Sequence, residues 1–439
     1  MDTIHDVVIV GGNRLPFALP GGSYAQASSH DMLLATLEGL VDRFDLAGQQ
    51  VGEVCAGAII LKSTDVSLVR QVVLSSSLAP TTPALGLRQA GATGLTTAIA
   101  VANKIALGQI DSGIAGGADT ASAMLDGGDA RLHRPLTDSR ATTMPRKPAV
   151  LARLRRVGHT TGHAADSHLL DEQLTGMSMG EHQAITTARW GITRQAQDAR
   201  ALASHQGLTH AWDSGLLDDL STEFMGLTRD EPLRPDVTMG RLAQAPIAYG
   251  TTLPNPTMTG ANAAPLADGA SLTLLSNRQW ASDRGLPMLA RLVDSHTSAV
   301  DYVHGYDGML HGGTYAGAHL LARHGLTLDD IDVHSIHEPF AATLLTTLAA
   351  WADVDYCRDV LGLDAPLGSV DPAKVNQFGS ALAAGHPPAA TGGRVLAITA
   401  KMVAHHAANN PHLGRPSRAL VVLFGAGGIG VAALLESLP

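Results

Sequence analysis

Apolar positions follow the same order of helical and strand spacing near the start and near the end of the chain. Residues 31–44 repeat leucine at three- and four-residue intervals, which predicts an amphipathic helix, and the apolar run 54–60 after a polar turn predicts a buried strand. Residues 316–325 and 331–336 repeat this order of helix, turn and strand. The pattern therefore predicts two halves built to one plan.

A second pair of segments extends the repeat. Residues 91–107 and 385–405 predict helices with almost no charge in their early turns, so we expect both to be buried and to meet near the centre of the molecule. An apolar strand follows each helix, at 112–115 and 419–424. Strands that alternate with helices indicate an α/β fold in which helices pack on mostly parallel sheets.

A basic segment separates the two series of elements. The 439 residues suffice for two or three domains, and we divide them into an N-terminal half (1–123 with 176–285), an inserted loop domain (124–175) and a C-terminal half (286–439). The insert is either a solvated surface excursion or a cationic lid over an anionic ligand such as a nucleotide phosphate. The candidate phosphate contacts are Arg153, Arg155 and Arg156.

Composition narrows the function classes. Hydrophobic residues make up 45% of the chain and charged residues 16%, which excludes a disordered polar chain. The net charge of −10 argues against nucleic-acid binding, which needs a basic face. No apolar run approaches the roughly 20 residues that span a bilayer. Cys55 and Cys357 are too few for a disulfide framework and lack zinc-ligand spacing, so we expect a cytoplasmic protein without a metal.

Two histidine motifs lie where catalytic groups are common. His337 and Glu338 directly follow a predicted strand, and the carboxyl ends of strands in α/β folds commonly hold catalytic groups. His386 stands between Gly385 and Pro387 at the start of the second buried helix. A histidine there can transfer protons near neutral pH.

Two further motifs are glycine-rich turns. Residues 89–95 enter the first buried helix, where free N–H groups suit an oxyanion, although a close helix crossing would also need Gly91. Residues 425–430 match the dinucleotide pattern G-x-G-x-x-G, but a crossover helix, followed by a second strand and a ribose-binding acid, cannot follow so near the end of the chain. We interpret this motif as a turn between two strands, with N–H groups that can serve as oxyanion donors.

Taken in order, these motifs resemble the thiolase family, and more narrowly the long bacterial acetyl-CoA acyltransferases of fatty-acid oxidation. The resemblance covers nearly the whole chain and includes residues 10–17, 179–182, 204–206, 257–262 and 268–270. It implies a five-layer αβαβα fold with mixed sheets, and a homodimer or dimer of dimers with an interface near strand 112–115. It also implies coenzyme A or phosphopantetheine as part of the substrate, with no tightly bound cofactor. The residues that match the family's pantetheine stretch include Met258 and Ala264.

The two catalytic cysteines of the family are absent from the matching positions. Gly91 stands in place of the cysteine that becomes acylated, and Phe424 in place of the cysteine that transfers the α-proton. Neither Cys55 nor Cys357 lies near these motifs. Three further departures are Phe378 for a frequent asparagine, Ala264 for a CoA-contacting serine and Leu19 for an arginine.

The resemblance assigns roles to the residues that remain. It implies that His386 activates a nucleophile and helps to hold the thioester oxygen, while His337 orients a water in the same oxyanion hole. We include Glu338 with these histidines among the catalytic candidates. The backbone N–H groups of Gly91 and Gly428 would form a second hole, because backbone donors need no side chain.

These roles leave two main hypotheses. The first is an enzyme that acts on acyl-CoA or carrier-bound thioesters without a cysteine acyl-enzyme, by acyl transfer, C–C bond formation or cleavage, or decarboxylation. The second is a non-catalytic acyl-CoA-binding protein or partner subunit, because Phe378 and Phe424 would fill space that a substrate or catalytic group needs. Thr93 is a weaker candidate nucleophile, since the sequence places no base beside it.

Overall fold

The computed structural model describes residues 4–61, 65–125 and 172–438. Arg153, Arg155 and Arg156, and most of the basic insert, lie outside these residues. The strands are β1 (Val7–Arg14), β2 (Glu53–Gly57), β3 (Ala84–Gly86), β4 (Ser112–Asp119), β5 (Ile247–Tyr249), β6 (Met258–Thr259), β7 (Gly269–Asn277), β8 (Ala290–Ala299), β9 (Val333–Ile336), β10 (Arg418–Gly425) and β11 (Ile429–Glu436).

Helices surround and separate these strands. The described helices are α1 (Ser29–Arg43), α2 (Leu68–Ser75), α3 (Thr93–Ala106), α4 (Ser122–Leu125), α5 (Met179–Arg189), α6 (Arg194–Asp213), α7 (Met239–Ala243), α8 (Arg278–Asp283), α9 (Gly312–Arg323), α10 (Ala341–Ala352), α11 (Val354–Asp359), α12 (Ala381–Ala384) and α13 (Pro388–Asn409). Across the described ranges, no helix is both long and apolar enough to cross a membrane.

Nine strands form one mixed sheet in the order β3-β2-β4-β7-β1-β8-β11-β10-β9. Antiparallel pairing of β1 with β8 joins the two halves. From that junction outward, the N-terminal half places β1, β7, β4 and β2, and the C-terminal half places the corresponding β8, β11, β10 and β9. The two-half prediction is confirmed, and β3 is an additional edge strand of the first half.

The expectation of mostly parallel sheets is wrong. Parallel pairing is confined to β2 with β3 and β4, and β9 with β10, whereas the five pairs between them are antiparallel. The glycine turn after β10 explains part of this difference, because a turn of three residues can join only antiparallel neighbours. The G-x-G-x-x-G motif at 425–430 therefore forms a turn between two strands, as predicted.

The two small-residue helices, α3 and α13, cross at the centre. A Cβ at Gly94 of α3 would lie 2.7 Å from the backbone nitrogen of Gly393 in α13, so glycine permits the close approach. Both helices contribute to one apolar cluster, while α1 and α2 cover the outer face of the first half and α9 and α10 that of the second. The layers are therefore α1 with α2, the N-terminal part of the sheet, α3 with α13, the C-terminal part of the sheet, and α9 with α10, which are the five that were expected.

Strand β4 is an internal strand, which contradicts the predicted dimer interface near 112–115. It lies between β2 and β7, and all eight of its residues are buried within the chain itself. Its apolar residues therefore need no second subunit to cover them. The outermost strand of this half is β3, where Leu85 is 36% exposed. Dimerisation remains a prediction, but its interface is no longer placed on strand 112–115.

Candidate active site

Three chain segments bring Gly91, His337 and His386 together. His337 follows β9 directly, and its N–H donates to the carbonyl of Val422 in β10 over 2.8 Å. Its ring centroid lies 4.5 Å from that of His386, just before α13. A Cβ at Gly91, just before α3, would lie 3.6 Å from Nε2 of His386. The sequence-predicted centre is therefore one compact cluster.

Hydrogen bonds define the tautomer of His386. Its Nδ1 lies 2.8 Å from the hydroxyl oxygen of Thr391, and that hydroxyl donates its only proton to the carbonyl of Pro387 over 3.0 Å. We assign the proton between the two groups to Nδ1, because a hydroxyl that donates to Pro387 can only accept from the ring. This leaves Nε2 with a lone pair on the side that faces position 91. Because residue 91 is glycine, no side chain at that position stands in front of this nitrogen.

The backbone of His386 is held by the predicted pantetheine stretch. Its N–H donates to Pro265 over 2.8 Å, and its carbonyl accepts from the N–H of Ala267 over 3.3 Å. Ala264, which is half-buried, donates its N–H to Pro339 over 2.9 Å. This stretch thus connects the two histidine loops. Met258, the other residue assigned to the pantetheine stretch, is in the core. It is 1% exposed, and its sulfur accepts a hydrogen bond from the hydroxyl of Thr187.

Burial and a nearby cation keep both histidines neutral. Burial, and then the charge of Arg394, lowers the pKa of His386 to about 3. Burial also holds the pKa of His337 well below its usual value, with further contributions from His386 and Arg394. Both nitrogens of the fully buried His337 lack a partner among the described residues. They can therefore bind a group that enters the site.

Glu338 is fully occupied by protein groups. One oxygen lies 2.7 Å from Nε of Arg200 and accepts from the side-chain amide of Asn376 over 2.7 Å. The other oxygen accepts from the hydroxyl of Ser204 over 2.9 Å. Asn376 also exchanges two hydrogen bonds with the backbone of Ile336. This network fixes the loop that presents His337.

The turn before α3 packs against the end of β10. Ala90 adopts a left-handed conformation with φ of 45°, and the hydroxyl of Thr93 donates to its carbonyl over 2.7 Å. A Cβ at Gly91 would lie 2.7 Å from the carbonyl oxygen of Phe424. Gly428 instead packs against Val300 and Tyr302. Thr93 is buried and hydrogen-bonded within the turn, so its hydroxyl is not presented as a nucleophile.

The two phenylalanines lie away from the space before His386. Phe424 is buried in the outer apolar cluster, where its ring covers Gly313 at the start of α9. The expectation that this ring fills the site is therefore wrong, because alternate residues of β10 face opposite sides of the sheet. Phe378 is partly buried and stacks on His210, with 6.2 Å between the ring centroids.

Neither cysteine is placed or activated for catalysis. Cys55 lies inside β2, where burial raises its thiol pKa to about 12. Cys357 lies in α11, its thiol contacts the carbonyls of Ala350 and Trp351, and burial raises its pKa. Within the described ranges, no three His, Cys, Asp or Glu side chains are grouped so as to hold a metal ion.

Sequence reasoning missed several supporting residues. Thr391 lies five positions after His386 in the first turns of α13, a spacing that could have suggested the contact. Asp119 at the end of β4 accepts hydrogen bonds from the N–H groups of Ala389, Ile59 and Ile60. It thereby attaches the start of α13 to the sheet. Burial raises its pKa to about 6.

Comparison with known proteins accounts for this arrangement. The family model of the thiolase N-terminal domain matches residues 7–279, and that of the C-terminal domain matches residues 286–437. A 3-ketoacyl-CoA thiolase of Yersinia pestis (strain Pestoides F) is 32% identical over 437 residues, covering 98% of this chain and 96% of that protein.

Solved structures have the same fold over their full length. The crystal structure of the Bacillus anthracis acetyl-CoA acetyltransferase is 25% identical and has a TM-score of 0.76, with 100% of both chains covered. Human mitochondrial 3-ketoacyl-CoA thiolase in complex with CoA is 22% identical with a TM-score of 0.76, covering 99% of this chain and 98% of that one. The chain belongs to the thiolase family.

Proposed function

We propose that the protein is a thiolase-family enzyme that acts on acyl-CoA or carrier-bound thioesters without forming a cysteine acyl-enzyme. One observation supports this most directly. Nε2 of His386 faces a position where Gly91 offers no side chain. The base of the site is retained while the group that would become acylated is absent.

Anionic intermediates are common to the candidate reactions. Acyl transfer passes through a tetrahedral oxyanion. Decarboxylation of a malonyl-type thioester releases carbon dioxide and leaves a thioester enolate, and C–C cleavage of a 3-ketoacyl thioester expels the same kind of enolate after water or a thiol attacks the keto carbon. Each places negative charge on the thioester oxygen, and fixed donors around that oxygen stabilise the charge. We assign this role to a water bound by His337 and, in a second hole, to the N–H groups of Gly91 and Gly428.

His386 would transfer the proton in each of these reactions. Its neutral Nε2 can accept a proton from an incoming nucleophile or from the α-carbon of the thioester. Developing negative charge nearby favours the resulting imidazolium. Glu338, whose oxygens are occupied by Arg200, Asn376 and Ser204, would be a positioning residue for the His337 loop.

The substrate would approach along the stretch that contains Ala264. That stretch contacts both histidine loops, and the relatives' names, 3-ketoacyl-CoA thiolase and acetyl-CoA acetyltransferase, refer to CoA thioesters. We propose CoA or phosphopantetheine as the carrier of the acyl group. A homodimer and a cytoplasmic location remain part of this proposal.

A second candidate is an acyl-CoA-binding subunit without activity. The carbonyl of Phe424, 2.7 Å from where a Cβ of residue 91 would lie, favours it because little space remains there. The enzyme hypothesis is preferred because two neutral imidazoles with centroids 4.5 Å apart, one of them without a partner for either nitrogen among the described residues, are costly features in a site that only binds.

Product analysis separates the two candidates. The wild-type protein is incubated with acyl-CoA, 3-ketoacyl-CoA and malonyl-CoA-type thioesters, and the products are identified by mass spectrometry. The enzyme hypothesis predicts a new product with at least one class, and a loss of about 10²–10⁴-fold in rate in His386→Ala. Binding of every compound without conversion would favour the non-catalytic subunit. If His386→Ala and His337→Ala turned over substrate as fast as the wild type, the assigned roles would be contradicted.

A further inference from the structure

Arg394 is a buried cation without a carboxylate partner. The residue is 4% exposed, its Nε has no hydrogen-bond acceptor among the described residues, and its Nη2 makes a long hydrogen bond of 3.4 Å to the hydroxyl of Ser380. No Asp or Glu of the described residues forms an ion pair with it. Burial lowers its pKa to about 10, so the guanidinium is still charged at neutral pH. An isolated buried charge is strongly unfavourable unless something compensates it.

The neighbouring carboxylates are already engaged. Asp230 forms an ion pair with Arg14 and also accepts from the N–H of Phe17 and from Nε1 of Trp212. Glu338, as described above, is occupied by Arg200, Asn376 and Ser204. The guanidinium groups of Arg14, Arg200 and Arg394 are buried or nearly buried. They share two carboxylates, those of Asp230 and Glu338, which leaves a surplus of positive charge in this part of the core.

A small cavity lies between two of these cations. Arg14 and Arg394 both line it, together with Asn13, Gly393 and an apolar wall. The apolar lining residues are Leu208, Leu217, Leu220, Ala397 and Ile398. The cavity has room for about one particle of the size of a water molecule or small ion. A second small cavity, beside Phe378 and Ser380, is lined by Arg394 alone among charged residues.

We propose that the cavity between Arg14 and Arg394 holds one small inorganic anion of the halide class. The ion would supply the counter-charge that no side chain gives to Arg394, and the apolar wall would exclude larger or strongly hydrated anions. This inference does not depend on the proposed reaction. Because Arg394 lowers the pKa of both active-site histidines, the anion would also offset part of the positive charge that they experience.

Bromide makes the site visible in the full wild-type chain. Crystals grown or soaked in sodium bromide are measured at the bromine absorption edge. The proposal predicts an anomalous peak in the cavity within hydrogen-bond distance of the guanidinium of Arg394. Ordered density in the cavity without an anomalous signal would indicate a water only and would overturn the proposal. Bromide peaks confined to the surface would overturn it as well.

Thermal unfolding provides the second measurement. Chloride is compared with gluconate at equal ionic strength, since a ligand that binds only the folded state raises the melting temperature with its concentration. Wild type is expected to show a chloride-specific rise that Arg394→Met loses. The control Arg358→Met removes an exposed arginine paired with Asp355 and Asp359, and should retain the rise. An equal rise in Arg394→Met would contradict the proposal. Should that variant fail to fold, the bromide map of the wild type decides.

Discussion

At the residue scale, we assign the proton of the neutral His386 ring to Nδ1, which makes Nε2 the nitrogen that would act as a base. The bond from Nδ1 to the hydroxyl of Thr391, and from the hydroxyl to Pro387, leaves Nε2 unprotonated. Thr391→Val removes the acceptor, so the ring will also populate the tautomer with a proton on Nε2. We expect kcat to fall by at least about tenfold with KM little changed.

Nitrogen-detected NMR of the imidazole checks this directly. The wild type should carry its proton on Nδ1, and Thr391→Val should show a mixture. Thr399→Val is the matched control, because Thr399 is buried in the same helix but bonds to Ser335. It should lower stability without changing the His386 spectrum. A wild-type ring protonated on Nε2 would refute the assignment.

Position 91 gives a second prediction at this scale. A Cβ there meets a backbone carbonyl at 2.7 Å, which cannot rotate away. Gly91→Ala and Gly91→Cys should each lose about 1–3 kcal/mol of unfolding free energy. The cysteine variant should become only partly acylated and should not complete thiolysis, because Phe424 transfers no proton. Chemical denaturation and intact-protein mass measure the two effects, and two variants as stable as the wild type would show that the contact is not strained.

Some of these residues could be read from the sequence and others could not. His337 and His386 lie in glycine- or proline-flanked motifs after a strand and before a helix, so local pattern identifies them. Arg394 and Asn376 act through contacts formed only when distant segments meet, and no local pattern signals such contacts. Glu338 was foreseen as catalytic, whereas its three protein partners now favour a positioning role.

At the element scale, the crossing of α3 and α13 sets the position of the loops that hold Gly91 and His386, because each loop ends where its helix begins. Gly94→Ala would place a Cβ 2.7 Å from the nitrogen of Gly393 and 2.8 Å from the carbonyl of Ala389. Backbone atoms on a buried helix cannot yield locally, so the helices must separate. We expect a loss of about 3 kcal/mol in unfolding free energy.

Gly260→Ala is the control for this substitution, since a Cβ there meets no atom within 4 Å. It should change the unfolding free energy by no more than about 0.5 kcal/mol. Urea denaturation of the two variants tests the difference. If Gly94→Ala were as mild as the control, the helices would not be in the close contact described.

Helix and strand positions followed from periodicity, but strand direction did not. The segments 91–107 and 385–405 were expected as buried helices and lie at α3 and α13. The direction of β7, β8 and β11 depends on long-range pairing across the junction of the halves, which apolar spacing does not encode. The dimer interface near 112–115 was implied by the family resemblance, and the apolar character of that stretch is instead explained by its place between β2 and β7.

At the scale of the whole molecule, buried neutral histidines couple stability to pH. Burial lowers the pKa of His205 and of His334 to about 4, and it also holds the pKa of His337 well below its usual value. Unfolding restores values near about 6.5, so below that pH the unfolded chain binds more protons than the folded one. Unfolding free energy should therefore fall as pH drops from 6.5 toward 4.5. The raised pKa of Asp119 acts in the opposite direction.

His334→Phe isolates one of these contributions. This histidine is fully buried without a partner for either nitrogen among the described residues, and it lies outside the catalytic cluster. Its removal should reduce the slope of unfolding free energy against pH by about 1 kcal/mol per unit between pH 6 and 4.5. Guanidinium denaturation across that range measures the slope, and an unchanged slope would show that His334 titrates normally in the folded protein.

The central claim is that thioester chemistry proceeds without an acyl-enzyme. Intact-protein mass spectrometry during turnover of an acyl-CoA substrate tests it most directly, with iodoacetamide-treated protein alongside. The account predicts product formation with no added mass on the protein and no loss of activity after alkylation, because Cys55 and Cys357 are buried outside the site. An acyl adduct that accumulates and decays with turnover, mapped to either cysteine or to Thr93, would contradict it.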